Sequence, residues 1–109
     1  MTENTKRAHD NDLDVFVTYL KAGHMVQDAT GEEFAAMPDT WRHIEHGLIK
    51  KFQEWNLTQG YAMQTVNRRV STVRKYAGLA HQAGIIDEST IALINTVKAI
   101  QDRDWETFL

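Results

Sequence analysis

The fold is decided by residues 61–87, YAMQTVNRRVSTVRKYAGLAHQAGIID. Val66, Val70, Val73, Ala77 and Ala80 recur at steps of four and three, which is the spacing of one helix face. A strand would alternate its apolar residues instead. With about 100° of turn per residue, Gln64, Arg68, Ser71, Thr72 and Lys75 fall opposite this seam. Arg69 and Tyr76 flank the seam on one side, Asn67 and Arg74 on the other. Gly84 suits the left-handed residue that closes a helix, and Ile85 and Ile86 supply the apolar contact that often accompanies such an end.

Three further segments carry helical periodicity. The first spans about 4–22, with Leu13, Phe16, Val17 and Leu20 as its stripe and Gly23 as its stop. A second is expected to start after Pro38 with Asp39 as N-cap, and to bury Trp41, Ile44, Leu48, Phe52 and Trp55 along one face. The last begins near residues 87–89 and uses Leu93, Ile94, Val97 and Ile100. Between the first two, Thr30 and Glu33 have the spacing of a capping box, enough for one short helical turn. Gly60 separates the second helix from the segment at 61–87. No segment reads as a strand. Such stripes are buried only against each other, so the expected fold is all-α, a compact antiparallel-type bundle of four main helices in a single domain over 1–109.

Bulk composition agrees. The 109 residues are 42% apolar and 25% charged, values of a globular domain with one modest core. No apolar run is long enough to span a bilayer, and residues 1–10 lack the apolar stretch of a signal peptide. With no cysteine, disulfides and thiolate metal sites are excluded, and the expected location is cytoplasmic.

Charge is distributed unevenly. The chain sums to −3, yet no Asp or Glu occurs between Glu54 and Asp87, while acids gather at 10–14, 28–33 and 102–106. The polar face of the segment at 61–87 therefore combines long cations with short hydroxyl and amide groups and has no acid of its own to pair with. A phosphate backbone calls for that combination: cations release counterions, and short donors set register. Gln64 and Arg68 also have the groups to address base edges from a helix lying in a major groove.

Other constellations are weaker. His43 and His46 have a spacing of three but no third ligand, so no metal or cofactor is expected. Tyr19, Tyr61 and Tyr76 lack the cation cluster that phosphoryl transfer at a tyrosine requires, and Tyr19 and Tyr76 read as core-edge residues. Trp41 and Trp55 read as core. Lys50 points away from its helix stripe and is placed to reach phosphate, whereas Lys51 flanks the stripe.

The motif GYAMQTVNRRVSTVRKYAGLAHQAGIID resembles the helix of the core-binding domain of tyrosine recombinases, the phage integrase family. Gly60, Thr65, Asn67, Arg68, Arg69, Ser71, Arg74 and Gly84 match its pattern position for position. The N-terminal NTKRAHDNDLDVFVTYL is similar to the family's first helix at Thr5, Arg7, Ala8, Asp12, Leu13 and Phe16. Two positions depart from it: Ala62 stands where a capping serine is usual, and His9 where an aromatic is common. The connection over 24–37 is also longer than the family's.

The resemblance implies a SAM-like helical domain that forms one half of a clamp around double-stranded DNA. It implies a non-enzymatic role here, with cleavage and rejoining carried out by a separate C-terminal catalytic domain of the same parent protein, and recombinase protomers as further partners on the DNA. On this reading Arg68, Lys75, Ser71 and Thr72 contact phosphate. Gln64, Thr65 and Lys50 join the DNA-binding set, with Thr5, Lys6 and Arg7 as second-rank contacts from the first helix. Arg69 and Arg74 serve structure as much as DNA. The alternative is a helical protein-interaction module whose basic face docks an acidic partner; a helix-turn-helix regulator fits less well, because residues 59–62 give no convincing short turn.

Overall fold

The computed structural model describes residues 2–23 and 29–100, and among these the regular secondary structure is all helical, with no strand. Five α-helices follow in order: α1, Glu3–Ala22; α2, Gly31–Ala36; α3, His46–Thr58; α4, Met63–Gln82; and α5, Glu88–Ile94. A 3-10 turn, Pro38–Trp41, lies between α2 and α3. The expected all-α bundle is the fold, with the short turn at 30–33 realised as α2. The acidic residues at 102–106 and Asp28 lie outside the described residues.

Helix ends follow local chemistry. Thr2 caps α1 by accepting from Thr5 N at 3.1 Å, and Thr30 caps α2 by accepting from Glu33 N at 3.2 Å. Asp87 caps α5 through Thr90 N at 2.8 Å. Gly84, at φ +81°, closes α4 in a Schellman arrangement in which Ile85 N reaches Ala80 O at 3.0 Å. Gly60 closes α3 in the same left-handed conformation, at φ +88°. Ala62, before α4, provides no capping side chain.

Every residue of the two predicted seams on α1 and α4 is buried: Leu13, Phe16, Val17 and Leu20, and Val66, Val70, Val73, Ala77 and Ala80. Phe16 is the hub of an aromatic cluster, stacked on Trp41 at 5.8 Å and edge-on to Phe34 and Phe52 at 5.9 and 5.0 Å. Tyr19 sits at the core's edge and donates its hydroxyl to Leu48 O at 3.0 Å. Burial, followed by the charge of Glu54, raises its pKa. Gly31 lets α2 meet α1 closely: its N–H donates to Asp14 Oδ1 at 3.1 Å, and a Cβ there would collide with Asp14.

Two expectations about helix boundaries are corrected. The expected single helix from Asp39 through Trp55 is broken: a 3-10 turn holds Trp41, and α3 begins only at His46. Trp41 is buried with its indole N–H donated to Phe34 O at 2.8 Å, so its position is set by a carbonyl of α2. The i, i+3 step from Trp41 to Ile44 suits a tight turn as well as an α-helix, so the apolar spacing runs on across the break. The core face of α3 is also rotated, to Ile49, Phe52, Gln53, Asn56 and Leu57, leaving Leu48 and Trp55 half-buried at its margins. At the other end, α5 stops at Ile94. Val97 and Ile100 are buried from the non-helical chain that follows, which Gln53 Nε2 holds at Lys98 O at 2.8 Å.

None of the described helices is long and apolar enough to cross a membrane.

Candidate nucleic-acid interface

The N-terminal half of α1 lies beside α4, and an open groove of about 500 Å³ runs between them. Asn4, Thr5, Ala8, His9 and Asp12 form one wall. Arg68, Ser71, Thr72 and Lys75 form the other. Four residues expected to touch phosphate from α4, and Thr5 from α1, thus come together in one place. They do so because the seam of α4 packs inward beside α1, which turns the polar face of α4 along the groove.

Their states differ. Ser71 and Lys75 are exposed, and Gln64 is exposed on the same strip of α4, nearly two turns before Ser71. Thr72 is only 5% exposed, and its hydroxyl donates to Asp12 Oδ2 at 2.8 Å. The Thr72 hydroxyl is thus buried in the groove wall and committed to the Asp12 carboxylate. Arg68 remains 57% exposed along its side chain while binding Asp12, with Nη2 to Oδ1 at 2.8 Å and Nε to Oδ1 at 3.2 Å. Thr65 is half-buried and does not line the groove.

Asp12 answers the question raised by the missing acids of α4. The counter-charge comes from another helix, through space. Asp12 is 1% exposed, and its carboxylate accepts hydrogen bonds from both Arg68 and Thr72. A buried carboxylate needs such partners, because an uncompensated charge in the interior is strongly unfavourable. With Arg68 balanced by Asp12, Lys75 is the free cation among the groove's described residues.

Other expected contacts lie elsewhere. Arg69 is 9% exposed; its Nη1 donates to Asn56 Oδ1 at 2.8 Å, and its guanidinium sits 4.0 Å from the centroid of the Tyr61 ring. These contacts hold Arg69 within the bundle, outside the lining of the groove. Arg74 is half-buried, with Nη2 at 3.4 Å from Asn95 O after α5. Lys6 and Arg7 are exposed but outside the groove, and Arg7 pairs with Glu3 on the surface at 3.6 Å, a contact of little energetic weight. Lys50 lines a separate depression with His46, Lys51 and Thr96.

Four groove residues escaped sequence reasoning as contacts: Asn4, Ala8, His9 and Asp12. The signal for Asp12 was available, because it lies four residues before Phe16, within the stripe of α1. His9 packs edge-on to Tyr76 at 5.6 Å with Nδ1 3.3 Å from the Tyr76 hydroxyl. Burial raises the Tyr76 pKa, and the charge of Asp10 raises it further. His43 and His46 are both exposed, and no cluster of three metal-ligating side chains occurs among the described residues.

No family model, no curated protein and no solved structure matches the chain.

Proposed function

We propose that this chain is a non-catalytic domain that binds double-stranded DNA, of the kind found as the core-binding half of a tyrosine recombinase. The observation that carries the reading is the convergence of Thr5 with Arg68, Ser71 and Lys75 on one groove. Helix α4 contributes to it a face without a single acid of its own. Hydroxyl groups and two cations along an open trough suit a phosphodiester backbone, where most protein–DNA hydrogen bonds are made. Gln64, on the same strip, offers an amide of the type that addresses a base edge. On this reading the recombination chemistry belongs to a separate catalytic domain.

The rival, a module docking an acidic protein, uses the same face and differs in its ligand. Fluorescence anisotropy with a labelled 30-base-pair duplex across a salt series separates them. Binding at low salt that falls steeply with added salt supports the DNA reading. The variant to compare is Lys75→Glu with Gln64→Glu, because both side chains are exposed and reversal at Arg68 would leave Asp12 buried beside a second negative charge. Absence of duplex binding at low ionic strength, or binding untouched by the double substitution, overturns the reading.

A further inference from the structure

Asp12 is an acid set within a surface offered to a polyanion, the wrong charge for that ligand unless it does something else. Its hydrogen-bonding geometry identifies the task. Oδ1 accepts from Arg68 Nη2 at 2.8 Å and Nε at 3.2 Å, and Oδ2 accepts from Thr72 at 2.8 Å. Both oxygens are thus turned toward α4, and the side chain is only 1% exposed. The Thr72 hydroxyl is itself buried, so the carboxylate is held against rotation.

The consequence falls on Arg68. A guanidinium is a rigid planar fork, and fixing its Nε–Nη2 edge fixes the direction of the opposite edge. Among the described residues Nη1 has no acceptor, although more than half of the side chain is exposed. Ser71 and Lys75 lie one and two turns further along the same groove wall.

We propose that Asp12 is a positioning residue for Arg68, holding the guanidinium so that its free edge meets a backbone phosphate across the groove. The inference rests on the DNA-binding reading. It divides the work between two cations. The Asp12–Arg68 pair is neutral as a unit and supplies a directed contact, whereas Lys75 supplies the attraction that salt screens. Holding the fork in its bound orientation before the ligand arrives lowers the ordering cost of binding.

Duplex affinity of the whole chain is measured across a salt series for wild type, Asp12→Asn and Arg68→Lys, with far-UV circular dichroism and melting curves recorded in parallel. Coulomb attraction alone requires Asp12→Asn to bind more tightly, because it removes a negative charge beside a polyanion. Positioning requires the reverse: a loss of about tenfold in affinity, the scale of one charge-assisted hydrogen bond, with the salt slope retained. Arg68→Lys keeps the charge and loses the fork, and shows the same loss; it carries the test should Asp12→Asn fail to fold. Affinity in a folded variant equal to or tighter than wild type overturns the inference. A wild type that binds no duplex at any salt overturns the DNA reading and this inference together. A wild type that binds, with Asp12→Asn binding more tightly, overturns the positioning role alone.

Discussion

Asn67 grips the backbone of Ile100 with both of its polar groups: Oδ1 accepts from Ile100 N at 2.8 Å, and Nδ2 donates to Ile100 O at 3.0 Å. This exchange ties the chain beyond α5 to the middle of the bundle, where Ile100 is 6% exposed. Asn67→Leu leaves both backbone groups unpaired at a partly buried site. The expected cost is about 2 kcal/mol of stability, read by urea denaturation. Hydrogen exchange at the Ile100 amide should quicken in the same variant; unchanged protection there would contradict the assigned role.

Arg69 and Lys75 belong to one helix and should respond oppositely to substitution. Arg69→Ala removes a buried guanidinium from Asn56 and from the face of Tyr61. A destabilisation of about 2–4 kcal/mol is expected, with duplex affinity little changed below the variant's melting temperature. Lys75→Gln should leave the melting temperature within a degree or so, as exposed surface changes usually do. It should also reduce the slope of log affinity against log salt by about one unit. Calorimetry and anisotropy on the two variants test the separation.

Gly31→Ala places a methyl group against Asp14 and disturbs the N–H donation to its carboxylate. Backbone on both sides limits the relief available, so overpacking of about 1–3 kcal/mol is expected. A drop of several degrees in melting temperature would register it, whereas Gly47→Ala, whose added carbon meets nothing within 4 Å, serves as the control.

Asp87 has a pKa lowered from 3.8, chiefly by hydrogen bonds from Thr90 at the start of α5. A carboxylate with a lower folded than unfolded pKa binds protons more readily when unfolded. Its stabilisation is therefore complete above its unfolded value near 3.8 and disappears as pH falls through the lower folded value. Asp87→Asn, which keeps a capping oxygen but does not titrate, should flatten the acid limb of a stability–pH curve below pH 4 relative to wild type. Parallel acid limbs for the two proteins would rule out this linkage.

Much of the fold was legible because its determinants are local. The seams of α1 and α4 are spaced at three and four residues, and Thr30, Gly84 and Asp87 satisfy helix ends with groups a few positions away. The break before α3 was not legible, because Trp41 answers to Phe34 O in a neighbouring element. Nor was the register of α3. Its core face includes Gln53 and Asn56, whose polar groups are satisfied by Lys98 O and by Phe52 O with Arg69, and a count of apolar residues alone passes over them.

The sequence by itself determined that the chain is helical, where its two long helices run, and that the polar face of α4 is basic along its length. Those properties follow from side-chain periodicity and composition within single segments. Tertiary structure alone decided which cations are available. It set Asp12 of α1 against Arg68 and Thr72, drew Arg69 inward to Asn56 and Tyr61, and left Lys75 exposed on the groove. Electrostatic and hydrogen-bonding partners are chosen by distance in space, and the two residues of the central pair stand 56 positions apart in the chain.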